Sequence, residues 1–153
     1  MTIKLSTGLR TGMCGNVGFA EAFANGVIHI YSGPQPNTAD APVTGTLLGI
    51  VTTDAGAFAH GTATNGLAFD AAVGAMVSKA ATAIWKFYGI AAGTAGWFRL
   101  MGNPSDNLGA STTLPRFDGA IGTSGADLAL SNISVQVGVP ATIDVFTFSI
   151  AAQ

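Results

Sequence analysis

Residues 26–53, GVIHIYSGPQPNTADAPVTGTLLGIVTT, hold the pattern that decides the fold. Over residues 27–31, Ile28 and Ile30 fall on one side and Val27, His29 and Tyr31 on the other, the period of a β-strand. A stretch rich in Pro, Asn, Thr and Ala follows, and an apolar run resumes at residues 47–53 as a second strand. Residues 32–45 are therefore a long loop between two strands. Pro34, Pro36 and Pro42 keep it extended and lower the entropy lost on docking. It reads as an arm laid over an adjacent subunit, or as a crossover between the two sheets of a sandwich.

The same short period continues outward, between turn signals of Gly, Pro, Asn and Asp. Residues 67–69 and 75–78 are short strands, and residues 83–90 place Trp85 and Phe87 opposite Lys86 and Tyr88. The small-residue segment GIAAGTAG, residues 89–96, predicts a hairpin joining residues 85–88 to residues 97–101. Leu128 and Leu130 are out of phase with Ile133, Val135 and Val137, which predicts a bulge or break at Ser131 and Asn132. Phe146, Phe148 and Ile150 line one face of a final strand. Upstream, residues 18–24 form a helix of about two turns with Phe19 and Phe23 on one face and a stop at Asn25 and Gly26. The expected architecture is all-β: an antiparallel β-sandwich or jelly roll of about eight strands, with a short N-terminal helix. Residues 1–26 form an N-terminal arm and residues 27–153 the sandwich domain.

Composition narrows the function classes. A chain of 153 residues fits one domain. Charged residues make up only 9% of it, against about 25% in an ordinary soluble domain, and the mean hydropathy is +0.46. No apolar run reaches the roughly 18 residues of a membrane-spanning helix, and the small-residue strands lack the apolar faces and aromatic girdles of a membrane barrel. A net charge of −2 supplies no basic field for nucleic acid. No apolar segment follows Lys4 and Arg10, so no secretory signal is expected. The lone Cys14 excludes an internal disulfide. So few charges leave large neutral areas, and a homo-oligomer is expected to cover them.

The search for chemistry points away from an enzyme. His29 and His60 lie outside any metal-ligand spacing and read as structural or surface residues. Residues 122–126, GTSGA, lack the final Gly of a nucleophile elbow and no helix follows, so they read as a turn. Seven Asp residues are spread along the chain, mostly beside Gly or Ala, where an Asp side chain stabilises a turn by accepting from nearby amides. No catalytic, cofactor-binding or metal site is expected.

The segments LSTGLRTGM, FAEAFANGVIHIYSGPQPNTADAPVTGTLL, SKAATAIWKFYGIAAGTAGWFRLMGN and TLPRFDGAIGTSGADLALSN together resemble small virion structural proteins of tailed bacteriophages. The resemblance implies a capsid cement or decoration protein on the outer surface of the head, made in the bacterial host cytoplasm, with the phage major capsid protein as partner. It also admits a tail or neck component. A second class is a glycan-binding adsorption module that stacks sugars on Trp85 or Trp97, although the apolar neighbours of both favour core packing. On the cement reading the expected subunit contacts are Phe19 and Phe23 of the arm and Pro34 and Pro36 of the loop, with Arg10, Arg99 and Arg116 either as charged contacts to acidic partner surfaces or simply solvated or paired internally.

Overall fold

A computed structural model describes residues 3–151. The chain is all-β with a large, mainly antiparallel sheet and two short helices. Its strands are β1 (Lys4–Leu5), β2 (Val27–Ser32), β3 (Leu47–Thr53), β4 (Met76–Ser78), β5 (Trp85–Tyr88), β6 (Gly93–Met101), β7 (Arg116–Gly122), β8 (Leu128–Ala129), β9 (Ser134–Val135), β10 (Pro140–Ile143) and β11 (Thr147–Ser149). The helices are α1 (Thr7–Cys14) and α2 (Phe19–Ala22). The main sheet runs β1-β7-β6-β2-β3-β5-β10, with β8 parallel on β7 and β9 on β6. β4 and β11 form a separate ribbon.

The core lies between one face of the sheet and this ribbon. Ile28, Ile30, Phe98, Leu100 and Phe117 point inward from the central strands and are fully or almost fully buried. Phe146 and Phe148 close the layer from the other side: Phe98 and Phe117 lie 6.2 and 6.0 Å from Phe146, and Phe148 lies 5.6 Å from Phe117. Trp85 and Phe87 face the core while Tyr88 faces out, as the alternation predicts. The chain also breaks where the phase changes, leaving β7 after β8 and joining β6 as β9.

Residues 85–88 and 97–101 do not form the expected hairpin: β2 and β3 lie between them. Each aromatic strand has a better partner far away in sequence. The Phe87 ring lies over Gly49 of β3, where an added Cβ would come within 2.2 Å of it, so only glycine admits the ring. Trp97 of β6 pairs with Tyr31 of β2, and their rings stack at 4.6 Å. Loop closure costs only slowly more with length, so two well-packed non-local ladders outweigh one local one.

The N-terminal segment is not a separable arm. Phe23 is fully buried, and Phe19 stacks on Phe148 at 4.2 Å and meets Phe117 edge-on at 5.4 Å. The helix, α2, is a single turn, shorter than expected, with Phe23 as its C-cap, and two rings so close together find their cheapest burial in the chain's own core. α1 is an element that helix propensity hides, because Gly8 and Gly12 are poor helix formers. Tertiary contacts hold it. Buried Ser6 caps it by accepting from the Leu9 amide, accepts also from the Arg116 amide, and donates to the Leu114 carbonyl. A Cβ at Gly8 would lie 2.3 Å from the Thr113 carbonyl, so the helix docks only with glycine there.

The loop of residues 32–45 folds back over the second face of its own sheet. Ala39 is completely buried, and Asp40 accepts from the amide and hydroxyl of Thr7 at 2.8 and 2.7 Å. The Lys4 ammonium donates to the Pro36 carbonyl, and the Val43 amide reaches the Leu108 carbonyl of the loop before β7. The accessible surface, 7482 Å², is close to the roughly 7,100 Å² of a compact monomer of this mass. The loop is thus a cover for its own domain.

Candidate interaction surface

Under that cover lie two of the three candidate contact arginines. Arg99 on β6 and Asp118 on β7 are register partners, and Nε and Nη2 of Arg99 donate to the carboxylate at 2.7 Å each. The remaining Nη1 donates to the Ala41 carbonyl of the covering loop at 3.1 Å. Arg116 makes the same fork to Asp106, at 2.7 and 2.6 Å, and its Nη1 donates to the Gly109 and Ala39 carbonyls. Both guanidinium groups are fully buried. Burial pushes the Asp118 carboxyl up from its ordinary value, and the Arg99 fork offsets this only in part. Such charges persist in a core only when paired and fully hydrogen-bonded. Arg99 and Arg116 are therefore internal clamps that tie the sheet to the loops above it, and not charged contacts to a partner.

The other expected contacts divide. Phe19, Phe23 and Pro36 are buried. Arg10 and Pro34 are exposed; Arg10 donates to the Thr7 hydroxyl of its own helix, and the Pro34 carbonyl accepts from Thr44. Trp85 and Trp97 are both fully buried, so neither offers a stacking face to a sugar. Asp106 accepts from the Leu108 amide two residues on, the local bond of a turn, and also holds Arg116, whereas Asp70 and Asp127 accept from the more distant Ala81 and Ala120 amides and Asp118, although beside Gly119, is paired with Arg99.

What the surface does offer is an apolar hairpin tip. All six residues 71–76, Ala-Ala-Val-Gly-Ala-Met, are exposed, and none has a polar side chain. Val73 and Met76 exchange both backbone hydrogen bonds, at 2.9 and 3.1 Å, across Gly74 and Ala75, whose φ angles of 60° and 61° define a tight primed turn. Val73 is 75% exposed at the tip. Beside it the Ile150 amide donates to the Ala75 carbonyl, and Ile150 is itself 60% exposed. A groove of about 250 Å³, lined by Met13, Val17, Phe148 and Ile150, runs alongside. The signal was present in the sequence as a run of residues without polar side chains, but nothing there said that the run faces solvent.

A second concavity, of about 470 Å³, brings together His29 and His60. Burial, with a smaller push from His60 and Arg99, lowers the His29 pKa to about 4, and Asp106 opposes the shift weakly. The ring is neutral at pH 7. Among the described residues no three His, Cys, Asp or Glu side chains gather as metal ligands, and no helix is long and apolar enough to cross a membrane.

The chain matches no family model, no curated protein sequence and no solved structure.

Proposed function

We propose that the protein is a non-catalytic virion structural subunit of a tailed bacteriophage, a cement or decoration protein that binds the assembled head through the major capsid protein. The observation that carries this reading is the exposed, wholly apolar tip of residues 71–76 on a surface with few charges. Arg99, Arg116, Asp106 and Asp118 are consumed inside, so the few charges of the chain are fewer still where a partner would meet it. A domain with such a surface gains from burying it against neighbours. Burying Val73, Met76 and Ile150 is worth about 1.5–3 kcal/mol each at most, so a single contact is weak, and repetition on a lattice makes it firm. The resemblance to small phage virion proteins agrees with this role, and self-association into a homo-oligomer through the same tip would reinforce it.

The test is a titration onto heads that lack the protein, followed by counting bound copies. Saturation at hundreds of copies, with raised resistance of the heads to heat, is the expected result. Saturation at six or twelve would place the protein in a tail or neck ring, and absence of binding would end the virion reading.

A further inference from the structure

We propose that the cavity between the outer face of β2, β3 and β5 and the loop of residues 55–60 binds an uncharged saccharide. His29 and Ile50 are register partners on β2 and β3, and both line it, together with Tyr88 and Ile90 at the end of β5. Its far wall is Phe58 and His60. The volume, about 470 Å³, lies within the roughly 300–1,000 Å³ usual for small-molecule sites.

The wall is held in a costly shape. Asp54 and Ala55 both take left-handed conformations, φ 50° and 55°, which Ala in particular adopts at a cost. The Thr52 hydroxyl fixes the turn by donating to the Gly56 carbonyl at 2.7 Å. His60 is steadied twice: Nδ1 donates to the Asn103 carbonyl at 3.0 Å, and the ring meets Phe58 edge-on at 4.8 Å. That bond places the proton on Nδ1 and leaves Nε2 as an acceptor. His29 likewise engages its Nδ1, with the Tyr31 hydroxyl at 3.2 Å. Two imidazoles at one cavity thus each keep one ring nitrogen outside these bonds.

The lining selects the ligand chemistry by what it lacks. No Asp, Glu, Lys or Arg lines the cavity; Asp54, next in the chain to the lining Ala55, pairs with Lys86 at 3.5 Å, and Asp106 and Arg99, which act on His29, are each held in a buried ion pair. A charged ligand would find no counter-ion there. A wholly apolar ligand would leave the free imidazole nitrogens without partners. A pyranose satisfies both demands: its C–H face packs on the half-exposed ring of Tyr88 and the partly buried ring of Phe58, and its hydroxyls bond the imidazoles. The glycan site is thus assigned to Tyr88, Phe58, His29 and His60 in place of the buried tryptophans, and it does not depend on the capsid-binding role.

The experiment is an NMR titration of the full chain with maltose, lactose, cellobiose and N,N′-diacetylchitobiose, reading the imidazole resonances of His29 and His60. At least one of these should give saturable shifts at millimolar concentration. Tyr88→Ala and His60→Ala, both at exposed positions, should weaken binding tenfold or more with an unchanged melting temperature. No saturable shift with any of the four sugars overturns the proposal, as does binding that survives both substitutions. Equal or tighter binding of glucose 6-phosphate would overturn the assignment to uncharged sugars.

Discussion

Arg99 and Asp118 face each other across β6 and β7, joined by two hydrogen bonds of 2.7 Å, with no part of either side chain reaching solvent. The third donor group of Arg99 holds the Ala41 carbonyl, so one buried pair couples the sheet to its cover. The energetic consequence is asymmetric. Asp118→Ala strands a buried guanidinium and should destabilise the fold by about 3–5 kcal/mol in urea unfolding. Replacing both partners, Arg99→Met with Asp118→Leu, should restore most of that loss. A double variant no more stable than Asp118→Ala would show that the pair is needed for more than mutual neutralisation.

Phe19 carries the test of whether the N-terminal segment belongs to the core. Its ring touches Phe23, Phe117 and Phe148, and Phe19→Ala should cost about 3–5 kcal/mol. Removal of residues 1–25 should abolish the cooperative thermal transition. A truncated chain that still melts cooperatively near the parent temperature would restore the arm as a separate unit.

His29 should make stability depend on pH. Its folded-state pKa, about 4, lies below the ordinary 6.5, so the unfolded chain takes up a proton first as pH falls. The stability due to a neutral His29 is therefore complete above about pH 6.5 and declines down to about pH 4. The loss is about 2–3 kcal/mol. His60 and Arg99 oppose the charge on the ring and Asp106 favours it. His29→Gln should flatten this part of the profile, and an equally steep profile in that variant would assign the dependence to other groups.

Val73 separates docking from folding. Because it is 75% exposed at a turn tip, Val73→Asp should change stability by no more than about 0.5 kcal/mol. On the proposed role it should reduce occupancy on heads at least tenfold, because an aspartate desolvates poorly against an apolar partner. Full occupancy by a well-folded Val73→Asp protein would move the contact away from the hairpin.

The sequence by itself determined what depends on short periods and composition. Alternation in residues 85–88 put Trp85 and Phe87 inside and Tyr88 outside, and the phase change before Ile133 marked where the chain leaves one strand for another. The scarcity of charge and the all-β class followed in the same way. Tertiary structure decided everything that rests on which strands meet. The sequence left Arg99 and Arg116 open between partner contact and internal pairing, and only the placing of Asp118, Asp106 and two loops around them on β6 and β7 decides for the second. The partner of Phe87 is a glycine on β3, and α1 stands on Ser6 and on the room left by Gly8, contacts between segments far apart in the chain. His29 and His60 share a cavity for the same reason. Local propensity acts over a few residues, whereas ring packing, buried ion pairs and close glycine contacts are settled only when distant segments have come together.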